Sequence, residues 1–165
     1  MYKRQEREGR QPELVEALRS ALLETADEIV ASGRKDVYGR PLGGRYYWGC
    51  NGTVARQVVL LQGAHRLAPN PDYLNTSLSA VAHLFGRNFY GRSFVTGLGH
   101  RPPLHPHDRR SGADDIAPPW PGHIVGGGET ATDWRDLEED YRTNEIAINW
   151  QAALVYALAG FVGGG

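Results

Sequence analysis

A chain of 165 residues, 41% apolar and 22% charged, has the length of one ordinary domain and enough apolar side chains to bury a core. With 18 Lys and Arg against 19 Asp and Glu the formal charge is -1, so nothing draws it generally to nucleic acid or to an anionic membrane, and a neutral polymer or small molecule is the easier partner. The single cysteine, Cys50, excludes an internal disulfide and cannot build a thiolate zinc site unaided. Residues 1–12 are charged and polar, without the apolar stretch of about seven residues that a secretory signal requires, so no export signal is expected in this chain. The apolar run at residues 152–162 is too short to cross ~30 Å of hydrocarbon.

The apolar residues Leu14, Leu18, Leu22, Ala26 and Ile29 recur every three to four positions between charged ones, which predicts an amphipathic helix over residues 13–32 ended near Gly33. Gly39, Pro41, Gly43 and Gly44 make the next stretch a loop. Asn51 reads as the N-cap of a helix over 51–68, with Val54, Val58, Leu61 and Ala64 in phase. Pro69 and Pro71 separate it from a helix over 72–86 that presents Leu74, Leu78, Val81, Ala82 and Phe85 on one side. Residues 88–140 hold most of the prolines and fit no regular element for long; loops of this length are functional or disordered. The aromatics Phe89, Tyr90, Phe94, Trp120 and Trp134 argue against disorder and for an active-site loop region. A last helix over 143–162 is apolar nearly all round, from Ile146 to Val162, and such a helix requires cover on every side. The other helices are thin cover for it, so part of the fold is expected to lie outside this chain.

Two segments concentrate the chemistry, residues 93–109 and 134–152. Glycoside hydrolysis needs one carboxyl group to protonate the leaving oxygen and a second to activate water or attack the sugar. Glu145, expected in the first turn of the last helix, is the best proton donor on offer, although from spacing alone capping or complementing the helix N-terminus is the commoner reason for such a glutamate. Asp140 and Asp136 are candidates for positioning or secondary binding. Pro102, Pro103 and Pro106 stiffen the loop that carries His105, His107 and Arg109, which suits recognition of sugar hydroxyls. His100, His105, His107 and Asp108 are also ligand types, so a helical metal-binding or scaffold protein is a rival reading. Tyr46, Tyr47 and Trp48 offer rings that stack on pyranose faces or else plug one end of the fold, and Trp120, framed by Pro118, Pro119 and Pro121, carries the same two readings.

Gly97-x-Gly99-x-Arg101-Pro102-Pro103, Pro106-His107-x-Arg109, Trp134-x-Asp136 and Asp140-Tyr141-x-x-Asn144-Glu145-x-Ala147 closely resemble, in this order, the two signature regions of family 9 glycoside hydrolases, the endoglucanase or cellulase type. Tyr46-Tyr47-Trp48-Gly49-x-Asn51 resembles the family as well, so the likeness covers roughly residues 21–162. Gln151 departs from it, where the family more often has Asn.

The resemblance implies an all-α fold, the C-terminal portion of an incomplete (α/α)6 barrel with one long irregular loop, spanning residues 1–165 of this chain. It implies cleavage of β-1,4-glucan with inversion, with Glu145 as general acid and Asp140 supporting it. His107 and Arg109 would contact the sugar beside the scissile bond, and Tyr141 would line the same subsite. The family's general base comes from an Asp-Ala-Gly-Asp type motif that this sequence does not contain, and Asp114 and Asp115 have different neighbours. The chain alone is therefore expected to be inactive, and a non-catalytic carbohydrate-binding remnant is the nearest rival. No cofactor is required by the resemblance; calcium is allowed, without ligands assigned. The expected partners are a β-glucan and the missing N-terminal part of the barrel, in a parent enzyme that is secreted.

Overall fold

The computed structural model describes residues 11–110, 116 and 118–162. Within them lie helices α1 (Pro12–Lys35), α2 (Cys50–Leu67), α3 (Pro71–Leu84), α4 (Tyr141–Asn144) and α5 (Ile148–Val162). Pro12 starts α1 where its fixed φ suits a first turn and its missing N–H costs nothing, and Arg34 and Lys35 complement the dipole at the other end. Asn70 caps α3, its side-chain oxygen accepting from the Asp72 N–H at 2.9 Å.

Helix α2 packs against α3 and α5, while α1 lies on α2 and α3. Val54, Ala55 and Val58 of α2 meet Ala80 and Leu84 of α3 and Trp150, Leu154 and Ala157 of α5 in the main core, which Val95 and Ile124 of the long loop complete. Ala26, Ile29 and Val30 of α1 pack with Leu61, Ala64 and Tyr73 in a second cluster. The first half of α1 finds no such cover, and Leu14, Val15 and Leu18 stay exposed.

Two expectations need correction. The N-cap of α2 is Gly49, at φ 76, not Asn51. Asn51 is buried inside the first turn, where its Nδ2 donates to the Val125 carbonyl and its N–H to that of Gly126, so its amide ties down the long loop instead of capping a helix. Nor does the last helix begin at residue 143. Tyr141–Asn144 forms a short helical turn, Glu145 is extended at φ -72 and ψ 153, and α5 starts only at Ile148. The carbonyls of Thr143, Asn144 and Glu145 accept from the N–H groups of Gly127, His107 and Gly126, bonds that a continuous helix would replace with its own ladder.

Residues 88–140 are irregular yet tied together. Single β-bridges join Val95 to Ile124, Val125 to Ile146 and His107 to Glu145, and among the described residues no larger sheet forms. Phe94, Val125 and Trp134 make a third apolar cluster beneath this region. Trp150 is the plug of the assembly: a Cβ on Gly49 or Gly52 would overlap its ring, and one on Gly126 would come within 3.1 Å of it. Helix α5 buries Trp150, Ala153, Leu154 and Ala157, but Ile148 is 87% and Val155 64% exposed, so only one side of this apolar helix is covered within the chain.

His83 on α3 is buried, and desolvation first, then the nearby Arg40 charge, pushes its pKa down to about 4. Between about pH 6.5 and 4 the unfolded chain takes up a proton there that the folded chain refuses, so stability rises with pH across that window. Acid titration of the melting temperature should show this loss, up to about 3 kcal/mol, and His83→Gln should flatten it; an unchanged slope in the variant would assign the loss elsewhere. Gly52→Ala should lower stability by about 1–3 kcal/mol, because the overlapped Trp150 atoms lie at the root of its side chain and cannot swing away. A melting temperature equal to or above that of the parent would contradict this packing.

Candidate active site

Glu145 stands at the meeting point of three segments. Its backbone pairs with His107 in a parallel bridge, its carbonyl accepts from the Gly126 N–H at 2.9 Å, and its carboxylate Oε2 accepts from the Trp48 Nε1–H at 2.9 Å. The side chain is half-buried. Trp48 lies edge-on to Trp150, with ring centroids 5.0 Å apart, and remains 50% exposed. Tyr47 is exposed beside it.

The histidine loop is fixed to the same point. The His107 N–H donates to the Asn144 carbonyl at 2.9 Å, and His107 Nδ1 lies 2.7 Å from the Glu138 carbonyl. A carbonyl only accepts, so Nδ1 carries a proton and Nε2 is the ring nitrogen that this bond leaves uncommitted. Tyr141, at the start of α4, has its ring centroid 6.1 Å from that of His107 and is 58% exposed. Arg109, two residues after His107, is exposed.

Asp136 is an anchor rather than a group open to a ligand. Its carboxylate accepts from the Leu104 N–H at 2.9 Å, the His105 N–H at 2.9 Å and Arg92 Nη2 at 2.8 Å. Burial pushes this carboxyl up, but the two N–H groups and the Arg92 guanidinium outweigh it and hold it below the ordinary aspartate value. Arg92 in turn donates from Nε to the Arg101 carbonyl and lies over the Trp134 ring at 5.1 Å. Asp140 is buried, receives Arg135 Nε at 3.2 Å, and gives its carbonyl to the N–H groups of Thr143 and Asn144. It shapes the turn that delivers Glu145.

The structure therefore gathers Glu145, His107, Tyr141 and Trp48 into one group, with Asp136 and Asp140 behind it. Trp120 is instead flanked by His123, with centroids 6.5 Å apart, and by Arg110, 5.7 Å from its ring. Asp114 and Asp115 lie outside the described residues. The rival metal reading is not assembled: among the described residues no three of His, Cys, Asp or Glu converge as a metal would need, His107 Nδ1 faces a carbonyl, and Asp108 pairs with Arg110. No described helix is long and apolar enough to cross a membrane.

Two positioning residues escaped the sequence reading. Arg92 meets Asp136 across 44 positions, so no local spacing betrays the pair. Asn144, fully buried, receives Trp134 Nε1 at 3.0 Å and donates to the His105 carbonyl at 2.6 Å, joining both signature segments. Asn144 stood in the signature motif, but nothing in the sequence shows which groups its amide joins. Gln151, the departure from the family pattern, uses its amide twice, accepting from the Ile124 N–H and donating to the Ile124 carbonyl, each at 2.9 Å.

Comparison with known proteins identifies the family and the fold. The profile of the family described as Glycosyl hydrolase family 9 matches residues 8–158. Endoglucanase D of Acetivibrio thermocellus is 59% identical over 162 residues, which cover 98% of this chain and 26% of that protein. The crystal structure of a metagenome-derived glycoside hydrolase family 9 endoglucanase superposes with a TM-score of 0.86 at 30% identity over 93% of this chain and 30% of that one. The structure of AaCel9A in complex with cellobiose-like isofagomine does so with a TM-score of 0.84 at 29% identity, over 92% and 32%. The chain spans about a quarter of the length of the curated relative, and its all-α architecture is part of their (α/α)6 barrel. With a profile match along nearly its whole length and the signature residues gathered around one carboxyl group, this chain belongs to glycosyl hydrolase family 9.

Proposed function

We propose that residues 1–165 form the C-terminal part of an inverting endo-β-1,4-glucanase, a secreted cellulase, and supply the acid side of its active site. The observation that carries this reading is the half-buried Glu145, its carboxylate held by Trp48 and its backbone paired with His107, whose ring lies near that of Tyr141. Glu145 protonates the glycosidic oxygen as the bond to the anomeric carbon breaks. A carboxylate on the opposite face, about 6.5–9.5 Å away, takes a proton from the attacking water. The chain holds no Asp-Ala-Gly-Asp type motif, so that base comes from the rest of the protein. His107, through Nε2, and Arg109 bond the hydroxyls of the sugar next to the cut, while Tyr141, Tyr47 and Trp48 offer ring faces and Trp120 an outlying one. The chemistry is acid–base throughout and asks for no cofactor. The endoglucanase names of the relatives and the cellobiose-like ligand in one neighbour support a β-1,4-glucan substrate.

In the full-length enzyme, Glu145→Gln should cut glucan turnover on the order of 10²–10⁴-fold with binding of cello-oligosaccharides retained; unchanged turnover would remove Glu145 as the acid. The 165-residue chain alone should release no reducing ends from carboxymethyl-cellulose, and release that Glu145→Gln abolishes would place a base within it. Because Asp136 holds the loop that carries His107, Asp136→Ala should cost about 2–3 kcal/mol of stability and raise KM together with lowering kcat. Full activity in that variant would show that the loop keeps its place without the anchor.

A further inference from the structure

The Trp48 side chain offers two different things, a ring face and an N–H, and only the face belongs to sugar stacking. Trp48 sits in a turn closed by the Cys50 N–H on the Tyr47 carbonyl at 3.0 Å, with Gly49 following it at φ 76, the position where a type II turn requires glycine. A Cβ on Gly49 would also overlap Trp150, so neither the turn nor the ring packing beneath it tolerates another residue. Trp150 then meets Trp48 edge-on at 67°. The indole is thus set from below by a buried ring and from behind by a tight turn, and its Nε1–H ends 2.9 Å from Glu145 Oε2. Among the described residues Trp48 is the side-chain partner of this carboxyl.

A carboxylic acid has two unlike oxygens, a carbonyl that accepts and a hydroxyl that donates. We propose that Trp48 is a positioning residue for proton transfer: its indole N–H claims Glu145 Oε2 as the carbonyl oxygen and so keeps the acidic proton on Oε1, facing the leaving group. This rests on the reading of Glu145 as general acid. The Oε1–H proton passes to the glycosidic oxygen, the electron pair of the breaking bond stays on that oxygen, and the indole N–H then bonds the new carboxylate. A proton that rotates between both oxygens spends part of its time on the wrong side of the group, and general acid catalysis depends on placement within hydrogen-bond reach.

Trp48→Phe keeps a ring against Trp150 and removes the N–H. In the full-length enzyme, kcat for a cello-oligosaccharide, whose sugar leaving group needs protonation, should fall about tenfold more than kcat for 2,4-dinitrophenyl cellobioside, whose leaving group does not. KM for the oligosaccharide should change less than kcat. Equal losses on both substrates would reduce Trp48 to stacking or packing and overturn the proposal, as would an unchanged kcat on the oligosaccharide. Glu145→Gln run alongside separates the two readings. If it selectively loses the oligosaccharide and Trp48→Phe does not, the positioning role fails alone; if it loses neither, the acid assignment fails first and takes this one with it.

Discussion

Between α4 and α5 the backbone of residues 145–147 leaves the helical path, and the rest of the site depends on that step. Because the helical turn stops at Asn144 and Glu145 is extended, the carbonyls of Thr143, Asn144 and Glu145 have no helical ladder to enter, and each accepts an N–H from a loop remote in sequence. A helix through the same residues would consume those carbonyls and turn Glu145 away from the histidine loop. The cost of interrupting an apolar helix is offset by three long-range bonds and by the buried Asn144 amide, which satisfies Trp134 and His105 together.

Behind this step lie two supports of different character. One is polar: Asp136, Arg92 and the N–H groups of Leu104 and His105 form a satisfied, half-enclosed network whose value is direction more than net stability. The other is steric. Trp150 fills the space that Gly49, Gly52 and Gly126 leave, drawing the start of α2, the start of α5 and the Gly-rich loop strand onto a single ring. Gln151 reinforces the same junction by pairing both backbone groups of Ile124. Through Trp48 the steric support reaches the carboxyl group itself.

The buried side of α3 is not the one the leucine spacing pointed to, since Leu78 is exposed while Tyr73, Ser77, Ala80 and Leu84 are buried, but the amphipathic pattern of α1 and the proline that starts α3 could be read from the sequence. The start of α5 could not. Residues 146–162 are apolar nearly all round, so periodicity carries no information on where helix begins, and the break at Glu145 is imposed by partners in the long loop. For the same reason Asn51 looked like a cap, having the right chemistry for one, while its amide was committed 74 positions away at Val125. Glu145, His107, Tyr141 and Trp48 were recognisable by motif. The holding roles of Arg92 and of the motif residue Asn144 became visible only once the loop segments were brought together.

The uncovered side of α5 and the exposed Leu14, Val15 and Leu18 of α1 are apolar surfaces that a larger barrel would enclose, and the proposed role of Glu145 as acid requires a counterpart that such a barrel would bring across the cleft. The most direct test is a crystal structure of the full-length Glu145→Gln enzyme with a cello-oligosaccharide spanning the cut. The account predicts the side chain at 145 within about 3 Å of the scissile oxygen, His107 and Arg109 on the adjoining sugar, and a carboxylate from outside this segment on the opposite face. A sugar chain that passes this group by, or a base drawn from residues 1–165, would contradict it.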